Sequence, residues 1–116
     1  MKISIITVVF NNKDFIESCI KSIFNQTYQN IEYIIIDGVS IDGTLDAIQK
    51  YKDKITKILS EPDFGIYDAL NKGIKLASGD VVGLLHSDDF YAHDKVLQKL
   101  ALVFEKHNVD SCYVDF

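Results

Sequence analysis

The chain has 116 residues, 47% of them hydrophobic and 25% charged, with a formal net charge of -5; this suits one soluble globular domain with a real core. The acidic balance argues against a general nucleic-acid binder, which would carry a basic stripe, but not against a nucleotide held through a metal. Cys19 and Cys112 stand far apart and make neither a disulfide framework nor a zinc site.

Ile3 to Phe10 is apolar and β-branched, broken only by Ser4 and Thr7, which predicts a strand buried on both faces. Asn11-Asn12 ends it. Phe15, Ile16, Cys19, Ile20, Ile23 and Phe24 then fall on one helical face, with Asn12 or Asp14 as a cap. Ile31 to Ile36 reads as a second buried strand, closed by Asp37-Gly38. Ser40 to Thr44 is turn and cap chemistry, and a short helix follows with Leu45, Ile48 and Tyr51 inward. Asp42 is expected to cap that helix.

Ile55 to Leu59 is a third, weaker strand, and the only proline lies in the loop Ser60 to Gly65 that follows. Ile66, Ala69, Leu70, Gly73, Ile74 and Ala77 recur at spacings of three and four, which predicts a helix. Gly73 on its apolar face suggests close packing against a sheet. Lys72 and Lys75 are expected on the exposed face. Val81 to Leu85 is a fourth strand, running into His86-Ser87-Asp88-Asp89. Asp94 is a cap candidate for a last helix carrying Val96, Leu97, Leu100, Val103 and Phe104, and Asp110 to Phe116 reads as a fifth strand. His93 and His107 show no partner pattern and read as surface residues.

Strand and helix alternate throughout, which predicts an α/β fold: a Rossmann-like, mostly parallel sheet with helices on both faces. Such sheets bind ligands beyond the carboxyl ends of the strands, where strand order reverses. Thr7, Asn11, Asp37, Glu61, Asp63, Asp88 and Asp89 gather at those ends. Two adjacent carboxylates repel at close range, and a divalent metal carrying a diphosphate would compensate them; a helix cap or turn is the simpler reading. All-oxygen ligands favour Mg2+ or Mn2+. No G-x-G-x-x-G and no Walker-type loop is present.

Four segments together match a known pattern in order and spacing: Ser4-Ile5-Ile6-Thr7-Val8-Val9-Phe10-Asn11, Ser22-Ile23-Phe24-Asn25-Gln26-Thr27-Tyr28, Asp37-Gly38-Val39-Ser40-Ile41-Asp42-Gly43-Thr44, and Glu61 through Ile74. With them the chain resembles, over essentially its whole length, the nucleotide-sugar-binding half of a family 2 glycosyltransferase of GT-A fold. The version resembled is that of bacterial surface-polysaccharide enzymes. The resemblance implies an inverting enzyme whose donor is a nucleotide diphosphate sugar, most often a UDP-sugar, bound with a divalent metal. It implies a base pocket lined by Thr7, Val8 and Phe10, and Asp37 on the base or ribose. Asn11, Asp63 and Asn71 would join the donor site, with Asp88 on the ribose and Asp88 and Asp89 on the metal. The acceptor would be a saccharide or lipid-linked saccharide.

The chain departs from the family in two places. His86 stands where the family's metal motif begins with aspartate; it could ligate metal, hydrogen-bond ribose, or be a packed strand-end histidine. Family members also run on into an acceptor-binding half that supplies the catalytic base. Asp89 and Asp115 are conceivable bases here, but Asp89 is better used on metal and Asp115 reads as a solvated strand end. The expectation is a single donor-binding domain over residues 1–116, incomplete at its carboxyl end, with the base elsewhere.

Two other classes compete with this reading. A receiver domain needs carboxylates after strand one, an aspartate ending strand three and a lysine ending strand five; Asn11-Asn12, Ser60 and no such lysine stand there. A non-catalytic nucleotide-binding or interaction module remains the alternative. Self-association through the exposed sheet end is expected. The short amino terminus and the absence of a membrane-length apolar run make a cytoplasmic location the expectation, with peripheral association at the inner face of the membrane as a variant of it.

Overall fold

The computed structural model describes residues 2–87, 95–107 and 113–115, with backbone alone at Leu100 and from residue 103 onward. Strand β1 (Ile3–Val9) occupies the middle of a five-stranded sheet, flanked by β2 (Ile31–Asp37) and β4 (Val81–Leu84), with β3 (Lys57–Ser60) and β5 (Tyr113–Asp115) outside them. Every pairing is parallel, and Ile3 lies opposite both Ile31 and Val81. Parallel neighbours need crossovers, supplied by helices α1 (Lys13–Phe24), α2 (Thr44–Gln49), α3 (Ile66–Leu76) and α4 (Val96–His107). The predicted α/β architecture and all nine predicted elements are present.

The two-residue period of β1 divides the core. Ile3, Ile5 and Val9 face α1, α2 and α4 and pack with Ile16, Ile20, Ile48 and Leu97. Ile6 faces α3 and packs with Ile34, Ile36 and Ala69. Strands covered on both faces read as continuous apolar runs, which is why β1 and β2 were plain in the sequence. Gly73 sets how close α3 comes. A Cβ there would lie 2.6 Å from Ile6 Cγ2, so a larger residue forces the helix off the sheet. Cys19 is a buried thiol of this core, 3.6 Å from the Thr7 hydroxyl.

Several boundaries differ from expectation. Asn12 stands at the N-cap of α1 but makes no side-chain cap bond. Ile66, expected inward, is 47% exposed; the buried face of α3 begins at Ala69. The third strand starts at Lys57 rather than Ile55, because the Ile55 amide still donates to the Tyr51 carbonyl in the turn after α2. The N-cap of α2 is Gly43 rather than the expected Asp42; Asp42, one residue earlier, accepts the Thr44 amide and hydroxyl, and these bonds hold its carboxyl below the usual range. Cys112, His93, Asp94 and Asp110 lie outside the described residues, as do the side chains of His107 and Asp115. Among the described residues, no helix is long and apolar enough to cross a membrane.

At the amino-terminal end of the sheet a carboxylate is buried on the α3 face. Glu32, only 3% exposed, accepts the Ser4 hydroxyl at 2.9 Å and the Ser78 amide and hydroxyl, both at 2.8 Å. Lys2 and Lys57 each place Nζ 3.6 Å from its Oε2. Burial alone would raise its pKa, but the Ser78 and Ser4 bonds and the Lys57 charge outweigh that and lower it from 4.5 to about 2. The Gly79 amide donates to Ser4 Oγ, so the network fixes the turn between α3 and β4.

Candidate functional site

Strand order reverses beside β1: the chain proceeds outward through β2 and β3, then crosses to β4 on the other flank. Loops at the carboxyl ends of these strands build the candidate site. Phe10, just beyond β1, is 62% exposed. Gly38, just beyond β2, donates its amide to the Val9 carbonyl at 3.0 Å. A Cβ on Gly38 would sit 2.8 Å from Asp63 Oδ2 and 3.4 Å from Phe10 Cδ1. Phe10, Gly38 and Asp63 therefore meet, and only glycine leaves room for the carboxylate.

The loop carrying Asp63 is tied to its own helix. Asp63 Oδ1 accepts the Gly65 amide at 3.1 Å and Asp68 Oδ2 accepts the Phe64 amide at 3.0 Å. Lys72 Nζ donates to the Pro62 carbonyl at 2.8 Å and lies 3.0 Å from Glu61 and 3.5 Å from Asp68. Lys72 is thus not the free surface lysine expected: its side chain is 21% exposed, and the bond to Glu61, with help from Asp68, raises its pKa. Glu61 in turn serves Lys72.

Two predicted ligand residues are occupied internally. Thr7 is fully buried, and its hydroxyl lies 2.9 Å from the Tyr33 hydroxyl and 3.6 Å from Cys19 Sγ. It shares the face of Ile5 and Val9, so its side chain points into the core beneath α1 rather than into a base pocket. Asp37 is likewise fully buried. It accepts the Ser40 amide at 3.0 Å, the Ser40 hydroxyl at 2.5 Å and the Ser60 hydroxyl at 2.9 Å. With no exposed surface and both oxygens engaged, Asp37 ties the loop after β2 to the end of β3. Its hold on Ser40 keeps Val39 at φ +65°, a left-handed conformation that strains a β-branched residue.

Val8 is half-buried on the α3 side. Asn11 is exposed at φ +49°, which asparagine tolerates. Its amide donates to Ser40 Oγ and its Oδ1 accepts the Ile41 amide, both at 2.8 Å. Asn71 is exposed on α3. His86 is half-buried, and its carbonyl accepts the Cys19 thiol at 3.6 Å. Asp88 and Asp89 lie outside the described residues. Among the described residues, no three His, Cys, Asp or Glu side chains converge as a metal site. A cavity of 370 Å3 lined by Phe24, Tyr28, Tyr33 and Lys54 lies at the other end of the sheet, and no predicted site residue reaches it.

A parallel sheet that reverses order beside its central strand, with polar loops and an exposed aromatic at the reversal, is an open α/β domain of the kind that takes ligands beyond its strand ends. The chain belongs to glycosyl transferase family 2, whose family model matches residues 4–116, and its fold is the GT-A fold. S. aureus TarS (residues 1–349, solved with UDP-GlcNAc) is 26% identical, with a TM-score of 0.86 over 93% of this chain and 32% of that one. Glucosyl-3-phosphoglycerate synthase from Mycobacterium tuberculosis, solved with Mn2+, UDP and glucosyl-3-phosphoglycerate, is also 26% identical; its TM-score is 0.67 over 80% of this chain and 36% of its own. The Escherichia coli UDP-Glc:alpha-D-GlcNAc-diphosphoundecaprenol beta-1,3-glucosyltransferase WfaP is 38% identical over 99 residues, 84% of this chain and 39% of WfaP. The chain spans under half the length of the curated relatives it matches.

Proposed function

We propose that this chain is the donor-binding part of an inverting glycosyltransferase, holding a nucleotide diphosphate sugar, with UDP as the nucleotide, for sugar transfer in polysaccharide biosynthesis. The observation that carries the reading is the meeting of Phe10, Gly38 and Asp63 at the strand ends of a family 2 chain. Phe10 offers an exposed aromatic face to a base, with Val8 behind it. Asp63 Oδ2 is aimed at the same space and can accept from ribose or base, and Asn11 and Asn71 supply amides at its edges. Asp37 and Thr7 act on this site only by shaping its loops and floor.

Asp88 and Asp89 would hold Mg2+ or Mn2+, with His86 as a further ligand, and the bound ion would supply Lewis-acid stabilisation of the departing diphosphate. The Mn2+ in the mycobacterial relative's structure supports a metal in this family. In the transfer, the acceptor hydroxyl oxygen bonds to the anomeric carbon as the bond to diphosphate breaks on the opposite face. A base takes the hydroxyl proton. The acceptor is a saccharide or lipid-linked saccharide, as the name of WfaP states for that relative. The reading keeps the chain in the cytoplasm.

Calorimetric titration with UDP, with and without Mn2+, tests this, with GDP and dTDP as comparisons. Metal-dependent UDP binding that disappears in the double variant Asp88→Asn/Asp89→Asn is the expected result. Failure of the folded chain to bind any of these nucleotides would overturn it.

A further inference from the structure

Asn12 occupies a helix N-cap, where asparagine ordinarily accepts a backbone amide of the first turn. Here it makes no such bond. The Phe15 and Ile16 amides go to its backbone carbonyl instead, at 3.3 and 3.1 Å. Its side chain turns outward, and Nδ2 donates to Ser87 Oγ at 2.9 Å, across 75 residues of sequence. Its own amide donates to Thr44 Oγ1 at 2.9 Å. One residue therefore joins the end of β1, the start of α2 and the chain leaving β4.

The Asn12–Ser87 bond crosses the point where strand order reverses, since β1 and β4 are the strands on either side of it. The last backbone bond between these strands is Leu85 amide to Ile6 carbonyl at 3.0 Å. Beyond that rung, the Cys19 thiol holds the His86 carbonyl and Asn12 holds Ser87. Ser87 is half-buried and immediately precedes Asp88-Asp89 in the sequence. Both side chains in the bond are uncharged, so it braces the end of β4 without adding a charge there.

We propose that Asn12 is a positioning residue: through Ser87 it holds the chain leaving β4 against the end of β1. Its consequence for a ligand rests on the donor-site reading, while the brace itself does not. Serine at position 12 keeps N-cap chemistry but is too short to reach Ser87, which separates positioning from helix stability.

The test uses the full chain as wild type, Asn12→Ser, Ser87→Ala and the double variant. Melting temperature, Mn2+-dependent UDP affinity and amide hydrogen exchange without nucleotide are measured on each. Each single variant should melt only about 5 °C below wild type, the scale of one lost hydrogen bond, and bind UDP about tenfold more weakly. The double variant should bind no more weakly than either single one, because both remove the same bond. Amides of His86 and Ser87 should exchange faster in both single variants, with those of Ile5 and Ile6 unchanged. Wild-type affinity in either single variant, or losses that multiply in the double, would overturn the positioning role. Should Asn12→Ser fail to fold, Ser87→Ala carries both measurements. A wild-type chain that binds no nucleotide defeats the donor-site reading alone; unchanged exchange at His86 and Ser87 then defeats the brace, and faster exchange upholds it.

Discussion

Replacing Glu32 with glutamine isolates the charge of the buried carboxylate while keeping its shape. The lowering of its pKa from 4.5 to about 2 corresponds to roughly 3 kcal/mol of folding free energy, at 1.36 kcal/mol per unit. The sign follows from the direction: a carboxylate with a depressed folded pKa contributes fully above its unfolded value. That contribution fades as pH falls from 4.5 towards about 2. Glutamine can present one oxygen to the Ser78 or Ser4 donors but turns an NH2 group towards the rest, and leaves Lys2 and Lys57 without their counter-charge. Urea unfolding followed by circular dichroism should find Glu32→Gln less stable than wild type by about 3 kcal/mol near neutral pH. The gap should shrink steadily as the solution is acidified below 4.5. A gap that is absent at neutral pH, or that stays constant into acid, would refute the assignment of stability to this charge.

Gly73→Ala gains up to about 1 kcal/mol of helix propensity, but its Cβ would meet Ile6 Cγ2 at 2.6 Å, where overpacking costs about 1–3 kcal/mol. The net result is a loss near 1 kcal/mol, a fall in melting temperature of about 4 °C; a stabilised variant would contradict the close approach of α3. Gly38→Ala should leave the melting temperature nearly unchanged, because the clash falls on the swinging end of Asp63, yet weaken UDP binding about tenfold. Undiminished affinity would remove Asp63 from the donor site. Phe10, Val39, Ile41, Phe64, Ile66 and Tyr67 are all large, exposed and apolar around the strand ends, so the chain should self-associate and Phe64→Ser should weaken the association. Sedimentation showing monomer at every concentration would count against that.

The fold was legible because two periods alternate cleanly along the chain. The run Ile31 to Ile36, broken only by Glu32 and short and β-branched, reads as a doubly covered strand, and the spacing from Ala69 to Gly73 shows a helix lying on it. The crevice was legible from topology, since polar residues at strand ends can only gather at one rim of a parallel sheet. What a carboxylate at that rim does was not legible. Asp37 closes a strand as a ligand would, but its partners are Ser40 and Ser60, and the second stands 23 residues away. Thr7 was misread by attending to the strand's end and neglecting its period, which places it with Ile5 and Val9. Lys72 carried a readable tie to Asp68 four residues earlier; its contact with Glu61 depends on how the loop turns at Gly65. Glu32 shares a strand face with Ile34 and Ile36 and was passed over. A lone acid on a buried face signals a network, here with Ser4 and Ser78, 28 and 46 residues distant.

The central place of β1 has a consequence for synthesis. It leaves the ribosome before the other strands of this sheet, and β2 can cover one of its edges early. Its other edge pairs with β4, beginning at Ile3 opposite Val81, and so stays open until residues far downstream emerge. At the usual pace of translation that interval lasts roughly 4 to 16 s, during which a β-branched strand presents unpaired amides and carbonyls. A chaperone or a fast-forming β1–α1–β2 unit is the natural safeguard. The bond from Asn12 to Ser87 can form only after that edge is filled, so this corner of the sheet closes well after β1 and β2 have paired.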